Sequence, residues 1–287
     1  MTCAVCLELC DTRLACGHSI HDDCLRRLAL HQMHVGALAC PMCREPVVSA
    51  ALDTLFETVS CMIAAVAKDS PPLTCEAVQS AGSWFSLDDP ITAKGHTCLQ
   101  LAAARGSPAS AAQLLRMGAS PDADGGLGTR PLAVALSTNT PSHAAVAALL
   151  VEAGADVNAR FEQPESPLHL AVRAKKMPLV TMLLAAGALA AEVDEYGGTP
   201  LHDAARLKVH AAVRPLIGAG ADPSTTDADG LTALHLAAES GSLRTVKALM
   251  RMGACVRATS PRGLPYELAL CAGHHAVAEF LVVASLE

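Results

Sequence analysis

Aromatic side chains are scarce in this chain: one Trp, two Tyr and four Phe among 287 residues. So few rings cannot line a large aromatic pocket, whereas closely packed helices rich in Ala and Leu give this profile. Blocks of like charge are also missing. The net charge is −7, and the basic face of a nucleic-acid binder is not there to be found. Long uncharged apolar runs are absent too. The stretch from Ala50 to Ala67 is interrupted by Asp53 and Glu57, and no stretch reaches the ~18–20 residues that a membrane span requires. Neither nucleic acid nor membrane is therefore expected as a partner. Lysine does not occur before Lys68, which the preference for Arg over Lys along the chain accounts for.

Cysteine is plentiful. Twelve are present, and eight of them precede residue 62. Interleaved histidines argue against a secreted disulfide framework and for metal ligation in a reducing compartment. Residue 3 already belongs to the pattern, so no signal peptide is expected ahead of it. An intracellular location is expected, cytoplasmic with the nucleus as an alternative.

The pattern runs Cys3-x-x-Cys6, then Cys16-x-His18-x-x-His21-x-x-Cys24, then Cys40-x-x-Cys43. Thiolate and imidazole donors are those zinc takes, four to a closed structural site, so eight imply two ions. Zinc also answers a folding problem. About fifty residues bury too little apolar surface to fold securely alone, and a structural zinc supplies on the order of 10–16 kcal/mol of apparent binding energy. Cys10, His31 and His34 are left over; Cys10 is a minor alternative to one of the eight, and the two histidines are expected to be solvated, on or just after a short helix starting near Asp22.

This order of ligands resembles the RING finger family in its two-histidine variant, over residues 3 to 46. The nearest rival, the PHD finger, usually carries one histidine. The resemblance implies a small α+β cross-brace. Cys3, Cys6, His21 and Cys24 hold one zinc; Cys16, His18, Cys40 and Cys43 hold the other. It also implies a shallow groove for a ubiquitin-conjugating enzyme, lined by Val5, Leu7, Leu28 and Pro41. Leu28 departs from the Trp often found there. Arg44 follows the eighth ligand, where a basic residue in active relatives bridges the conjugating enzyme and its thioester-linked ubiquitin. A guanidinium suits that task, being always charged and carrying a rigid fork of donors. The implied activity is positional: the RING orients the thioester for attack by a substrate lysine and forms no covalent intermediate. A hydrolase would need an open zinc position, and eight ligands for two ions leave none.

Beyond the zinc pattern the chain repeats. Gly-Ala pairs begin at Gly118, Gly154, Gly187, Gly220 and Gly253, separated by 36, 33, 33 and 33 residues. Ser166-Pro167-Leu168-His169, Thr199-Pro200-Leu201-His202 and Thr232-Ala233-Leu234-His235 precede three of them. This resembles the ankyrin repeat, an all-α solenoid in which each unit is buried only by its neighbours. Thr97-Cys98-Leu99-Gln100 opens a divergent first repeat, Thr129-Arg130-Pro131-Leu132 the second, and Leu264-Pro265-Tyr266-Glu267 a shortened last one. The three extra residues of the second repeat predict a longer loop around Ser137 to Ser142. Thr199 suits a helix N-cap and Pro200 the first helical position. Leu201, Ala204 and Ala205 are expected to face the neighbouring repeat, and Gly220 to take a left-handed conformation past the second helix. The recurring His169, His202 and His235 read as local hydrogen-bonding groups rather than metal ligands. Asp124 to Gly128 lacks the lysine and helix of a phosphate loop.

The expected architecture is therefore multidomain: a RING-type zinc finger over 1–49, a helical linker or degenerate repeat acting as a cap over 50–93, and about six ankyrin repeats over 94–287. Within the middle segment, Leu52, Leu55, Val59, Met62, Ile63 and Val66 have helical spacing, Leu73 to Ala81 suggests a second helix, and Trp84 and Phe85 are candidates to pack there. Acidic residues mark the repeat turns: Asp122, Asp124, Glu162, Glu165, Asp194, Glu195, Asp227 and Asp229. Asp194, Glu195, Tyr196, Asp227 and Asp229 are the expected contacts for a protein substrate, and the acidic ridge suits a basic segment. Two functions fit: a ubiquitin ligase whose repeats select the substrate, or an adaptor using zinc only to fold.

Overall fold

The computed structural model describes residues 12–13, 19–20, 60–61, 63–72, 86–92, 95–124, 129–138, 140–159 and 165–286. The eight predicted zinc ligands, Val5, Leu7, Leu28, Pro41 and Arg44 lie outside these residues, as do Leu73 to Ala81, Trp84 and Phe85. Two short strands are described near the N-terminus, β1 (Thr12–Arg13) and β2 (Ser19–Ile20). They pair antiparallel with Thr12 opposite Ile20 and Arg13 opposite Ser19.

The chain divides into two compact units, one of residues 1–135 and 140–153, the other of residues 136–139 and 154–287. In the first, α1 (Cys98–Arg105) and α2 (Pro108–Arg116) form an antiparallel pair, and α4 (Pro141–Glu152) packs against both. Between them in sequence lies α3 (Pro131–Ser137). Thr97 caps α1: its hydroxyl accepts from the Gln100 N–H at 3.2 Å, while Gln100 Oε1 accepts from the Thr97 N–H at 2.7 Å. Residues 63–67 are helical and bury Ala65 and Val66. The Ser107 hydroxyl donates to the Val66 carbonyl (3.0 Å), and Asp69 accepts from the Ser110 N–H (2.8 Å), tying this segment to the start of α2.

The three extra residues of the second repeat do not lengthen a loop. Residues 138–140 separate α3 from α4, the same span that residues 174–176 provide between α5 and α6. Instead α4 has 12 residues where α2 has 9. Thr140 caps its start and Pro141 occupies the first turn. The alanines that follow have the highest helix propensity, so the added residues extend the helix.

The second unit holds four helix pairs: α5 (Pro167–Arg173) with α6 (Met177–Ala185), α7 (Pro200–Arg206) with α8 (His210–Gly218), α9 (Ala233–Glu239) with α10 (Leu243–Arg251), and α11 (Pro265–Cys271) with α12 (His275–Ala284). First helices stack in the order α5, α7, α9, α11, and second helices in the order α6, α8, α10, α12. The interface is built from Leu168, Leu201 and Leu234 with Ala204, Ala205, Ala237 and Ala238, all fully buried. Each such leucine contributes about 1.5–3 kcal/mol on burial, and the alanines let the helices approach. Thr199 is the N-cap of α7, Pro200 follows, and Gly220 has φ +98° beyond α8. Lys175 and Lys208 also have positive φ, +57° and +62°, at the turns leading into α6 and α8.

Candidate protein-interaction surface

Hairpin loops join the helix pairs of the second unit. In the loop before α7, the Asp194 N–H donates to the Gly198 carbonyl at 2.9 Å; in the loop before α9, the Asp227 N–H donates to the Leu231 carbonyl at 2.9 Å. The Ala228 N–H donates to the Tyr196 carbonyl at 2.9 Å, so the two loop tips lie side by side. A Cβ at Gly197 would sit 3.0 Å from that same Ala228 nitrogen, and its φ is +68°, so both the close approach and the backbone disfavour a side chain there.

The predicted contact residues separate into two groups. Asp194 is buried. One of its carboxylate oxygens accepts from the N–H groups of Tyr196 (3.0 Å) and Gly198 (2.8 Å), and the other from Arg173 Nη2 (2.8 Å). Asp227 accepts from the N–H groups of Asp229 (3.0 Å) and Leu231 (2.8 Å), shaping its own loop. These two carboxylates are committed to the fold. Glu195, Tyr196 and Asp229 are exposed at the tips. The carboxylate of the neighbouring Glu195 raises the pKa of Tyr196. At other turns Asp122 pairs with Arg130 and Glu165 with Arg173, while Glu162 lies outside the described residues.

Arg173 is the centre of an ionic cluster that the sequence expectations above did not include. Its Nε donates to Asp203 (2.7 Å), Nη2 to Asp194 and Nη1 to Glu165; Asp203 accepts from Arg206 as well, at 2.5 Å. Burial opposes the Arg173 charge, but hydrogen bonds and attraction to Asp203 and Glu165 outweigh it and its pKa rises. A signal was present in the sequence. Asp203 occupies the position held by Leu170 and Leu236 in the flanking repeats, and a carboxylate in an apolar slot requires a cation.

His169, Asp194 and Asp203 bring ligand-capable atoms within 4.8 Å of one another. They are not free to hold a metal. Asp194 and Asp203 surround Arg173, and both nitrogens of His169 are engaged. Nδ1 accepts from the Ser166 N–H (3.3 Å) and Nε2 donates to the Gly198 carbonyl (3.0 Å). His202 repeats this, with Nδ1 accepting from the Thr199 N–H (3.1 Å) and Nε2 donating to the Leu231 carbonyl (3.1 Å). Gln100 does the same in the first unit, reaching the Thr129 carbonyl. His235 accepts from the Thr232 N–H at 3.1 Å, yet its buried Nε2 has no hydrogen-bond partner among the described residues. The corresponding carbonyl, that of Gly263, accepts from the Ser260 N–H (3.2 Å) and hydroxyl (2.7 Å) instead. Burial lowers the pKa of both His202 and His235. These are structural histidines, as their position in the repeat predicts.

Among the described residues no helix is long and apolar enough to cross a membrane. A family model for ankyrin repeats in three copies matches residues 159–227 and 208–286, and one for the single ankyrin repeat matches residues 94–125. No RING domain is found. No curated protein matches the chain.

Proposed function

We propose that this chain, which carries ankyrin repeats over residues 94–125 and 159–286 and so has a protein–protein interaction role, is a RING-type ubiquitin ligase. The repeats recruit a protein substrate, and the N-terminal segment positions a ubiquitin-charged conjugating enzyme beside it. The observation that carries this reading is the eight-ligand pattern followed directly by Arg44. The donor set fits zinc. Divided as the RING resemblance implies, it gives three thiolates and one imidazole for each ion, a composition of closed structural sites. The antiparallel pairing of β1 with β2 is further support, because the residues between the strands, 14–18, include Cys16 and His18.

Zinc supplies folding energy and no reactive group. Val5, Leu7, Leu28 and Pro41 form the apolar contact for the conjugating enzyme. Arg44 bridges enzyme and ubiquitin, restraining the thioester so that the substrate lysine amine attacks its carbonyl. An amide bond forms and the enzyme's thiol leaves. Restraint of this kind lowers the barrier by orientation alone. The second reading, a non-catalytic adaptor, is favoured by Leu28 in place of the usual Trp.

The test is a reconstituted ubiquitination reaction with a panel of conjugating enzymes, run on protein whose zinc content is measured. Two zinc ions per chain and ubiquitin chains that vanish in Arg44→Ala and Val5→Ala are expected. Silence across the panel with both zinc ions present would leave the adaptor.

A further inference from the structure

The two adjacent hairpins before α7 and α9 share one backbone design and differ in what they display. Position 193 is Val, and the residues 33 and 66 positions later are Thr226 and Thr259. Position 196 is Tyr, and its equivalents are Asp229 and Arg262. Position 189 is Leu, where the next hairpin has Asp222. Positions 193 and 196 are thus apolar in this hairpin and polar in the two that follow, and position 189 is apolar here and acidic in the next. The fold does not require the change. Asp194 and Asp227 make the same backbone bond across their loops, at 2.9 Å in each, so the polar version closes equally well. Nor does the fold hide it: Leu189, Val193 and Tyr196 are 52%, 41% and 64% exposed. Single exposed apolar residues are ordinary on protein surfaces; here three fall within eight residues of one loop.

The charges carried by these two hairpins are of one sign. Glu195 precedes Tyr196, and Asp229 follows Ala228, whose N–H is bonded to the Tyr196 carbonyl. Neither hairpin, residues 188–198 or 221–231, contains Lys or Arg. The nearby cations are engaged: Arg173 with Glu165, Asp194 and Asp203, Arg206 with Asp203, and Arg262 with Glu239; Arg262 is also attracted to Asp229, which leaves Glu195 as the carboxylate with no cation opposite it among these. Tyr196 is therefore an exposed aromatic side chain on a tip whose exposed charged residues, Glu195 and Asp229, are both acidic.

We propose that this hairpin anchors the partner, and that the partner presents an apolar or aromatic side chain beside Lys or Arg. The apolar group packs on Val193 and Tyr196. The cation pairs with Glu195 or Asp229 and lies over the Tyr196 ring, an arrangement that aromatic faces favour. This rests on the reading of the repeats as the recruiting part of the molecule and adds the chemistry of what they recruit. Asp194 and Asp227, being committed to the loops, take no part.

The test is selection of random twelve-residue peptides displayed on phage against the full chain, repeated on the double variant Val193→Thr, Tyr196→Asp. Those substitutions install the residues that Thr226 and Asp229 supply one repeat later, so the hairpin is retained. Circular dichroism and the melting curve check this. The expected outcome is a consensus pairing an aromatic or aliphatic residue with Lys or Arg, and at least a ten-fold loss of affinity of the best peptide for the double variant. No consensus, a consensus without a basic residue, or equal affinity for the two proteins would overturn the proposal. Ubiquitination is read separately on the same preparations. Failure there with peptides still selected removes the ligase reading alone, and ligase activity without a consensus removes this one alone.

Discussion

Replacing Arg173 by Met strips the shared cation from two buried carboxylates. The Asp203 and Asp194 side chains are only 2% and 3% exposed, and Arg173 Nε and Nη2 lie 2.7 and 2.8 Å from them. Removing one partner of a buried ion pair costs about 3–5 kcal/mol, because the other charge is left uncompensated. Here compensation is partial. Asp203 keeps Arg206 at 2.5 Å, and Asp194 keeps the N–H groups of Tyr196 and Gly198 at 3.0 and 2.8 Å. The cost therefore falls at the lower end, about 3 kcal/mol. Asp203→Leu is the informative contrast. It installs the residue that Leu170 and Leu236 provide in the flanking repeats, and it leaves Arg173, partly exposed, with Glu165 and Asp194. Removing the buried carboxylate together with its desolvation cost is expected to change stability by less than about 1 kcal/mol in either direction. Urea unfolding of the three proteins, followed by circular dichroism at neutral pH, reads both quantities. With a slope of about 2–3 kcal/mol per molar, Arg173→Met lowers the midpoint by about 1 M. A change under about 1 kcal/mol for Arg173→Met, or a larger loss for Asp203→Leu than for Arg173→Met, refutes the assignment of Arg173 as the buried counter-ion.

The remaining expectations concern backbone, titration and thiol chemistry. Lys208→Gly relieves a left-handed residue at φ +62°. The relief of about 1–2 kcal/mol exceeds the entropy penalty of glycine, about 0.5–1 kcal/mol, so the urea midpoint rises; a fall counts against the reasoning. Burial holds the folded-state pKa of His202 below its unfolded value. The unfolded chain then binds the proton first, so this contribution is complete above about pH 6.5 and is lost as pH falls below it. His202→Gln is expected to keep the cap, as Gln100 does in the first repeat, and to flatten the fall in unfolding midpoint between about pH 6.5 and 5; an unchanged slope would show that another group titrates. The Cys98 thiol, pushed up to about 12 by burial, is expected to resist iodoacetamide in the native chain while exposed Cys61, Cys255 and Cys271 are alkylated, as peptide mass mapping would report.

Local features were legible because their physics is local. A Thr ahead of Pro, with His three residues on, is a complete capping unit within four residues. The 33-residue recurrence of that unit implies stacking, since no copy buries itself. The same locality misled at the second repeat. Three surplus residues read as a longer loop, but the cap at Thr140 and the run of alanines after Pro141 decide where they go, and they extend α4. Asp194 illustrates a different limit. As a charged residue in a turn it reads as surface, yet its carboxylate satisfies two N–H groups of its own loop and the guanidinium of Arg173, 21 residues earlier. Only the fold brings that arginine to it.

Repeats provide a control that a single-copy domain lacks. Where one copy departs from its neighbours at an equivalent position, the departure either has a compensating partner inside the stack or it has none. Asp203 has one: a charge in a leucine position is answered by Arg173 and Arg206, so its cause is internal. Tyr196 and Val193 are instead exposed, at 64% and 41%. They add nothing to the hydrogen bond that closes their loop, and exposing them to water is unfavourable by comparison with the polar residues of the next hairpin. Departures of this second kind are the ones that the proposed partner contact would bury.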